Sequence, residues 1–220
     1  WRSFLLTSHF DRPKQLGPLH HQSQDYVDLF HHFGLLKSNE KQTLRALPKS
    51  HPPRIDSAYL LVCPGAEYGS AKRWPADHFA KAAAELAREN SYRIVIAGGE
   101  GDLETAQQVE RYLRGSSTIN LTGSTTLSQF LTLCAHASFI LCNDSGAMHT
   151  SSLYHTPGVA LFGSTEPRWT GPLSPAMTVV QEDVPCSPCF LRECPIDFRC
   201  MRTLSVEMVL QACQDTLQRA

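Results

Sequence analysis

The stretch from Phe139 to Gly163 constrains the fold of this chain more than any other. It holds two short apolar runs, 139–142 and 159–162, separated by a polar turn and a segment with helical character. A short, continuous apolar run bounded by turn residues is typical of a strand that is buried on both faces of a parallel sheet. The stretch therefore predicts a strand, a helix and a second strand in parallel.

The same alternation of apolar runs and helical patterns continues over residues 58–220. Strands are predicted near 58–63, 92–97, 119–121, 139–143 and 159–162, with Thr178–Val180 as a candidate edge strand. Alternation at this spacing favours right-handed βαβ units and a doubly wound, Rossmann-like parallel sheet of the α/β class. Ligands of such sheets bind beyond the carboxyl ends of the strands. Five loops that follow the strands are therefore predicted to converge on one crevice: 64–75, 98–102, 123–126, 143–149 and 163–172.

The turn that follows the strand at 139–143 has the features of an anion-binding site. Asp144 and Ser145 are suited to begin a helix, and Gly146 lets the backbone of the first turn approach a ligand closely. His149 follows within one turn, on the face that overlooks the same spot. A turn of this composition also occurs as a simple helix cap, so both interpretations stay open.

Two further loops carry charges suited to a nucleotide. Lys72, in the loop 64–75, offers a point charge for a phosphate oxygen. Asp102 and Glu104 could accept hydrogen bonds from ribose or sugar hydroxyls, although acidic residues at a helix start also favour the helix dipole without any ligand. The chain has no Walker lysine loop, and the glycines at 98–101 lack the spacing of a dinucleotide fingerprint. A transferase with a nucleoside diphosphate leaving group fits this set best.

Bulk properties narrow the class of protein. The net charge of −1 and the pI near 6.9 argue against a nucleic-acid binder. No apolar run is long enough to cross a bilayer and no signal peptide is recognisable, so a cytoplasmic, reducing location is expected. The sequence begins at Trp1 rather than at a methionine, and we expect it to be part of a longer polypeptide.

The cysteines fall into two groups of four. One group lies in apolar patterns and is predicted to be core: Cys63, Cys134, Cys142 and Cys213. The other is clustered late in the chain: Cys186, Cys189, Cys194 and Cys200. Four cysteines can surround a tetrahedral zinc, but this spacing differs from the usual two CxxC pairs, and two prolines constrain the loop. Free or partly buried thiols are favoured, and we expect neither a metal nor a cofactor.

Three motifs in order resemble glycosyltransferase family 9, the ADP-heptose:lipopolysaccharide heptosyltransferases. They read PGAEYGSAKRWP at 64–75, NDSGAMH at 143–149 followed by GSTEP at 163–167, and CxxC at 186–189. The resemblance covers the chain from about Tyr59 to the C-terminus. It implies that residues 58–220 are the C-terminal, nucleotide-sugar (donor) binding domain of a GT-B fold. Residues 1–57 would be a remnant of the N-terminal (acceptor) domain and a linker.

The resemblance also implies a set of donor-binding residues: Lys72, Asp102, Thr125, Thr126, Asp144, Ser145, Gly146 and His149. Lys72 would meet the diphosphate, and the residues from 144 to 149 would form the donor loop, with serine where relatives often have threonine. Asp102 would match the acidic residue near the donor sugar or ribose, with Glu104 as its rival. Thr125 and Thr126 would lie near adenine.

The implied activity is an inverting transfer of heptose from ADP-heptose to the inner core of lipopolysaccharide, at the cytoplasmic face of the inner membrane with peripheral membrane contact. The family's general base lies in the N-terminal domain, upstream of this chain, so the 220 residues alone are expected to be inactive. Two alternatives stay open: a non-catalytic nucleotide-sugar-binding module, and a transferase or epimerase that uses a UDP-sugar.

Overall fold

A computed structural model describes Ser8, Phe10, residues 20–37 and residues 55–220 of the chain. Within this part, six strands form one sheet: β1 Tyr59–Cys63, β2 Arg93–Ile96, β3 Thr118–Asn120, β4 Phe139–Asn143, β5 Gly158–Phe162 and β6 Met177–Gln181. Their order is β3-β2-β1-β4-β5-β6, and every neighbouring pair is parallel. The predicted α/β parallel sheet is confirmed, and so is the edge strand near Thr178.

The helices of the described residues are α1 Ser23–His32, α2 Ala76–Asn90, α3 Leu103–Tyr112, α4 Leu127–His136, α5 Gly146–Leu153, α6 Pro167–Thr170, α7 Arg199–Arg202 and α8 Val206–Arg219. Short 3₁₀ turns occupy Ser70–Lys72 and Glu100–Asp102. Local sequence explains several of these starts. Thr126 and Gln129 form a capping box at α4, and Ser205 accepts a hydrogen bond from the Met208 amide at α8.

Each strand sends alternate side chains to opposite faces of the sheet, which separates two hydrophobic cores. Leu60 and Val62 face one core, where α2, α3 and α8 pack. Leu61 and Cys63 face the other core, together with residues of α4 and α5. All five residues of β1, β4 and β5 are buried, as expected for strands covered by helices on both faces.

The predicted division at residue 57 concerns a region that lies largely outside the described residues. Of that region, the structure describes α1 and its flanking residues. The Gln22 amide donates to the Trp169 carbonyl at 2.8 Å, which joins the start of α1 to α6. Among the helices of the described residues, none is both long enough and apolar enough to span a bilayer.

Candidate functional site

The strand order reverses between β1 and β4, whose carboxyl ends lie side by side in the sheet. In open parallel sheets this switch point is the usual position of a ligand. A cavity of about 330 Å³ opens there, within the size range of small-molecule sites. Four of the loops predicted to converge line it: 64–75, 98–102, 123–126 and 143–149. The fifth loop, 163–172, does not line the cavity, but its Thr165 donates a hydrogen bond to Asp144 beside the cavity.

The structure divides the predicted donor-binding residues into two sets. Five of them line the cavity: Asp102, Thr125, Thr126, Ser145 and Gly146. The other three, Lys72, Asp144 and His149, lie outside the lining. Asp144 immediately precedes Ser145, so the second set adjoins the cavity at the start of α5.

Lys72 and Asp144 form a buried ion pair. The Lys72 Nζ lies 2.5 Å from Asp144 Oδ2, and the two residues are only 9% and 4% exposed. Thr165 Oγ1 donates to the same carboxylate oxygen at 2.6 Å. Buried charges are tolerated when they are paired and hydrogen-bonded, and both conditions are met here. Because Lys72 is compensated by Asp144, a diphosphate at this position would meet a lysine that the fold already holds in place.

Asn143 joins the two loops that carry this ion pair through hydrogen bonds of its side chain. Its side-chain oxygen accepts a hydrogen bond from the Trp74 amide at 3.2 Å, and its side-chain nitrogen donates to the Pro64 carbonyl at 2.8 Å. Trp74 is itself buried, and its indole N–H donates to the Leu204 carbonyl at 2.9 Å. Trp74 is therefore a packing anchor, and the end of β4 is tied rigidly to the loop after β1.

The N-terminus of α5 remains open to a ligand. Ser145 is the N-cap residue, but its side chain makes no capping hydrogen bond. The side chains of Asn143 and Asp144 are engaged with the loop 64–75 and with Thr165 and do not cap the helix. Leaving aside the chain neighbours of Gly146 and the backbone of α5, no heavy atom of the described residues lies within 4 Å of the position that a Cβ at Gly146 would occupy. The Met148 amide donates to the Ser145 carbonyl at 3.1 Å, so the N–H groups of Gly146 and Ala147 and the helix dipole are the features that could meet an anion in the cavity.

Asp102 presents its carboxylate at the opposite side of the lining. Its Oδ2 accepts from the Gly99 amide at 3.1 Å, whereas the buried Oδ1 has no hydrogen-bond partner among the described residues and lies 3.9 Å from Arg73 Nη2. A Cβ at Gly65 would lie 2.0 Å from Asp102 Cγ, so this position requires glycine for the carboxylate to approach. Glu104 does not line the cavity, and the geometry therefore favours Asp102 over its rival.

The first turn of α4 supplies an apolar wall that sequence reasoning missed. Leu127 and Phe130 line the cavity beside Thr125 and Thr126. Leu127 is 73% exposed, so it is not held there by a packed core. The side chain of Thr126 is occupied by the capping box with Gln129. Residues at positions 126, 127 and 130 share one helix face, and this spacing is the signal that could have identified Phe130.

His149 lies on the surface next to the ion pair. Desolvation lowers its pKa below the ordinary value of 6.5, and this outweighs the opposite influence of Asp144. The electrostatic influence of the neighbouring His21 and Lys72 lowers the pKa of His149 further. The His21 ring, which reaches here from the start of α1, is also 3.0 Å from the Gly171 carbonyl. His149 is therefore neutral near pH 7 in the unliganded protein.

The late cysteines do not line the cavity and form no disulfide with one another. Backbone N–H groups, first that of Ile196, lower the pKa of the Cys194 thiol, whereas burial and the neighbouring thiols raise that of Cys200 to about 11. Among residues 20–37 and 55–220, no group of three or more His, Cys, Asp or Glu side chains is arranged to hold a metal ion. The predicted core cysteines are all buried.

Comparison with known proteins supports the interpretation of the motifs. The model of the family described as Glycosyltransferase family 9 (heptosyltransferase) matches residues 6–198. Lipooligosaccharide heptosyltransferase 2 of Haemophilus influenzae is 36% identical over 147 residues, which are 66% of this chain and 42% of that protein. Lipopolysaccharide heptosyltransferase 2 of Escherichia coli is 39% identical over 122 residues, 54% of this chain and 35% of that protein. The chain thus spans about half or less of the length of these relatives.

Solved structures share the fold. The Escherichia coli ADP-heptose lps heptosyltransferase II matches with a TM-score of 0.64 and 25% identity, over 94% of this chain and 55% of that one. A family 9 glycosyl transferase from Veillonella parvula matches with a TM-score of 0.72 and 22% identity, over 97% and 63%. The resemblance to the heptosyltransferases that the motifs indicate is confirmed by the family model, the relatives and the Escherichia coli structure. A family model that spans most of the sequence, together with motifs at the carboxyl edge of a parallel sheet, establishes that this chain belongs to glycosyltransferase family 9, the heptosyltransferases.

Proposed function

We propose that residues 58–220 bind the ADP-heptose donor of an inverting heptosyltransferase with a GT-B fold. The observation that carries the proposal is the ion pair of Lys72 and Asp144 next to the uncapped N-terminus of α5, at one end of the switch-point cavity. The diphosphate would lie over the N-terminus of α5, within reach of Lys72. A helix dipole and a fixed lysine can together stabilise the charge that develops on a leaving nucleoside diphosphate.

The remainder of the cavity fits the nucleoside. Asp102 lines the cavity, so its carboxylate is placed to accept a hydrogen bond from a ribose or sugar hydroxyl, while Phe130 and Leu127 provide an apolar wall for the base near Thr125 and Thr126. The similar proteins are named for ADP-heptose and for lipopolysaccharide, which supports this donor and a lipopolysaccharide inner-core acceptor. Action at the cytoplasmic face of the inner membrane, with peripheral membrane contact, is part of the same proposal.

His149 suits this site as a neutral hydrogen-bond donor or acceptor close to the transferred sugar. Asp144 is not available as a general base, because its Oδ2 accepts from both Lys72 and Thr165. The family resemblance places the base in the acceptor domain, which is not represented in residues 58–220. We therefore expect the 220-residue chain to bind the donor and to transfer heptose slowly at best.

Titration calorimetry with ADP, adenosine and UDP tests the proposal directly. We expect ADP to bind more tightly than UDP, and Lys72→Met to weaken ADP by about 1.5–3 kcal/mol while changing adenosine little. The matched control is Lys81→Met, since Lys81 is an exposed lysine of α2 paired with Asp77. Equal affinity for UDP and ADP would favour a UDP-sugar enzyme, and no binding of either nucleotide would overturn the assignment of the cavity.

A further inference from the structure

Tyr68 links the donor site to the late cysteines. It lies four residues before Lys72, and the centroid of its ring is 4.5 Å from Lys72 Nζ. The same ring is 5.4 Å from Arg192 Cζ, and its hydroxyl donates to the Phe190 carbonyl at 2.5 Å. A single aromatic side chain therefore contacts the proposed diphosphate-binding lysine and the segment 189–192.

The backbone reinforces this contact. The Ala71 amide donates to the Arg192 carbonyl at 3.0 Å. Gly69 has a positive φ of 153°, and a Cβ there would lie 2.1 Å from the same carbonyl oxygen. The loop that carries Lys72 can approach the segment 189–192 this closely only because residue 69 is glycine.

The segment 189–192 also connects to the other half of the ion pair. The amides of Cys189 and Phe190 donate to the Ser164 carbonyl at 3.1 and 2.8 Å. Thr165, the next residue, donates its hydroxyl to Asp144. Lys72 and Asp144 are thus both supported by the same short segment, through Tyr68 on one side and through Ser164 and Thr165 on the other.

We propose that Tyr68 and the segment 189–192 form a clamp that positions Lys72 for the donor diphosphate, with Tyr68 as the positioning residue. Lysine has four rotatable side-chain bonds, and its ammonium group is held in one place by the Asp144 carboxylate and the Tyr68 ring together. Removal of the ring frees the ammonium group to move, so binding of a diphosphate must then order it. The inference rests on the proposed donor site and adds the element that sets its geometry.

The test compares two ligands that differ only in the diphosphate. For Tyr68→Leu, which removes both the ring and the hydroxyl, we expect ADP affinity to fall by about tenfold, the size of a partly desolvated cation–π contact. Adenosine affinity should change by less than about twofold, because adenosine does not reach Lys72. Tyr68→Phe keeps the ring and should lose less than Tyr68→Leu. Tyr112→Leu, at a tyrosine of α3 that is 65% exposed, is the matched control.

A second measurement separates positioning from a general structural role. In a Lys72→Met/Asp144→Asn background, which carries no uncompensated buried charge, Tyr68→Leu should no longer alter ADP affinity. A tenfold loss that persists in that background, or an equal loss for ADP and adenosine, would overturn the clamp. Should Tyr68→Leu fail to fold, Tyr68→Phe removes the hydroxyl that ties the ring to the Phe190 carbonyl. ADP affinity should then fall more than adenosine affinity, and an equal loss for the two ligands would overturn the clamp. Failure of the parent chain to bind ADP would instead contradict the proposed function.

Discussion

The two halves of the crevice differ in how deeply their charged side chains are buried and in how those charges are compensated. At the start of α5, Lys72 and Asp144 neutralise each other and are nearly excluded from solvent. In the open cavity, Asp102 lines the wall with its Oδ1 3.9 Å from Arg73 Nη2, a longer contact than that of the buried pair, and Leu127 is largely exposed. The first half contributes to the stability of the fold as well as to ligand binding, whereas the second is shaped mainly by what it would bind. Substitutions in the two halves should therefore have different consequences.

The largest effect is expected on stability, at the ion pair. Lys72→Met would leave the Asp144 carboxylate buried and uncompensated, and we expect the free energy of unfolding to fall by about 3–5 kcal/mol. Lys81→Met, which breaks the exposed pair with Asp77 at 2.9 Å, should cost about 0–1 kcal/mol. Urea denaturation at neutral pH measures both.

A double variant at the buried ion pair checks the comparison between the buried and the exposed pair. Adding Asp144→Asn to Lys72→Met removes the uncompensated charge and should recover a substantial part of the lost stability. Similar losses for Lys72→Met and Lys81→Met, or no recovery in the double variant, would show that burial does not distinguish the two pairs.

An intermediate effect is expected on binding, at the open cavity. Asp102→Asn should weaken adenosine by roughly tenfold, the scale of a hydrogen bond to a charged group, because the amide cannot accept from a hydroxyl with the strength of a carboxylate. The unfolding free energy should change much less than in Lys72→Met. Glu104→Gln, two residues later and outside the cavity lining, is the control and should bind adenosine normally. A greater loss of adenosine affinity for Glu104→Gln than for Asp102→Asn would reverse the assignment of the acidic residue.

The smallest effect is expected on the pH dependence of stability, at His149. Its pKa is lowered in the folded protein, chiefly by desolvation, so the unfolded chain takes up the proton first as the pH falls below about 6.5. Holding the ring neutral therefore lowers the free energy of unfolding in acid and leaves it unchanged above that pH. His149→Gln should lose slightly less stability than the parent chain between about pH 7.5 and pH 5.5. A steeper loss in the variant would mean that a negative neighbour, Asp144, dominates over desolvation.

Sequence patterns predicted most of the secondary structure because those patterns are local. Apolar runs of four or five residues identified β1, β4 and β5, and the capping box of Thr126 and Gln129 is likewise a local feature at the start of α4. The positions of the ligand-binding loops then followed from the parallel topology, since all the carboxyl ends meet at one edge of the sheet. For β3 the predicted strand, 119–121, lies one residue later than the observed one. All three of its residues are partly exposed, which weakens the apolar signal.

The sequence by itself determined the parallel α/β fold, the family and the loops that make the crevice. Only the tertiary structure decided how the charges in it are used. Lys72 and Asp144 are 72 residues apart in the chain, and Tyr68 and Phe190 are 122 apart. Propensity, period and capping act over a few residues, whereas these pairings depend on which strands become neighbours and on how deeply each side chain is buried. The same residue types could have given an exposed lysine and a simple helix cap; their burial at the switch point of the sheet made them a preformed ion pair.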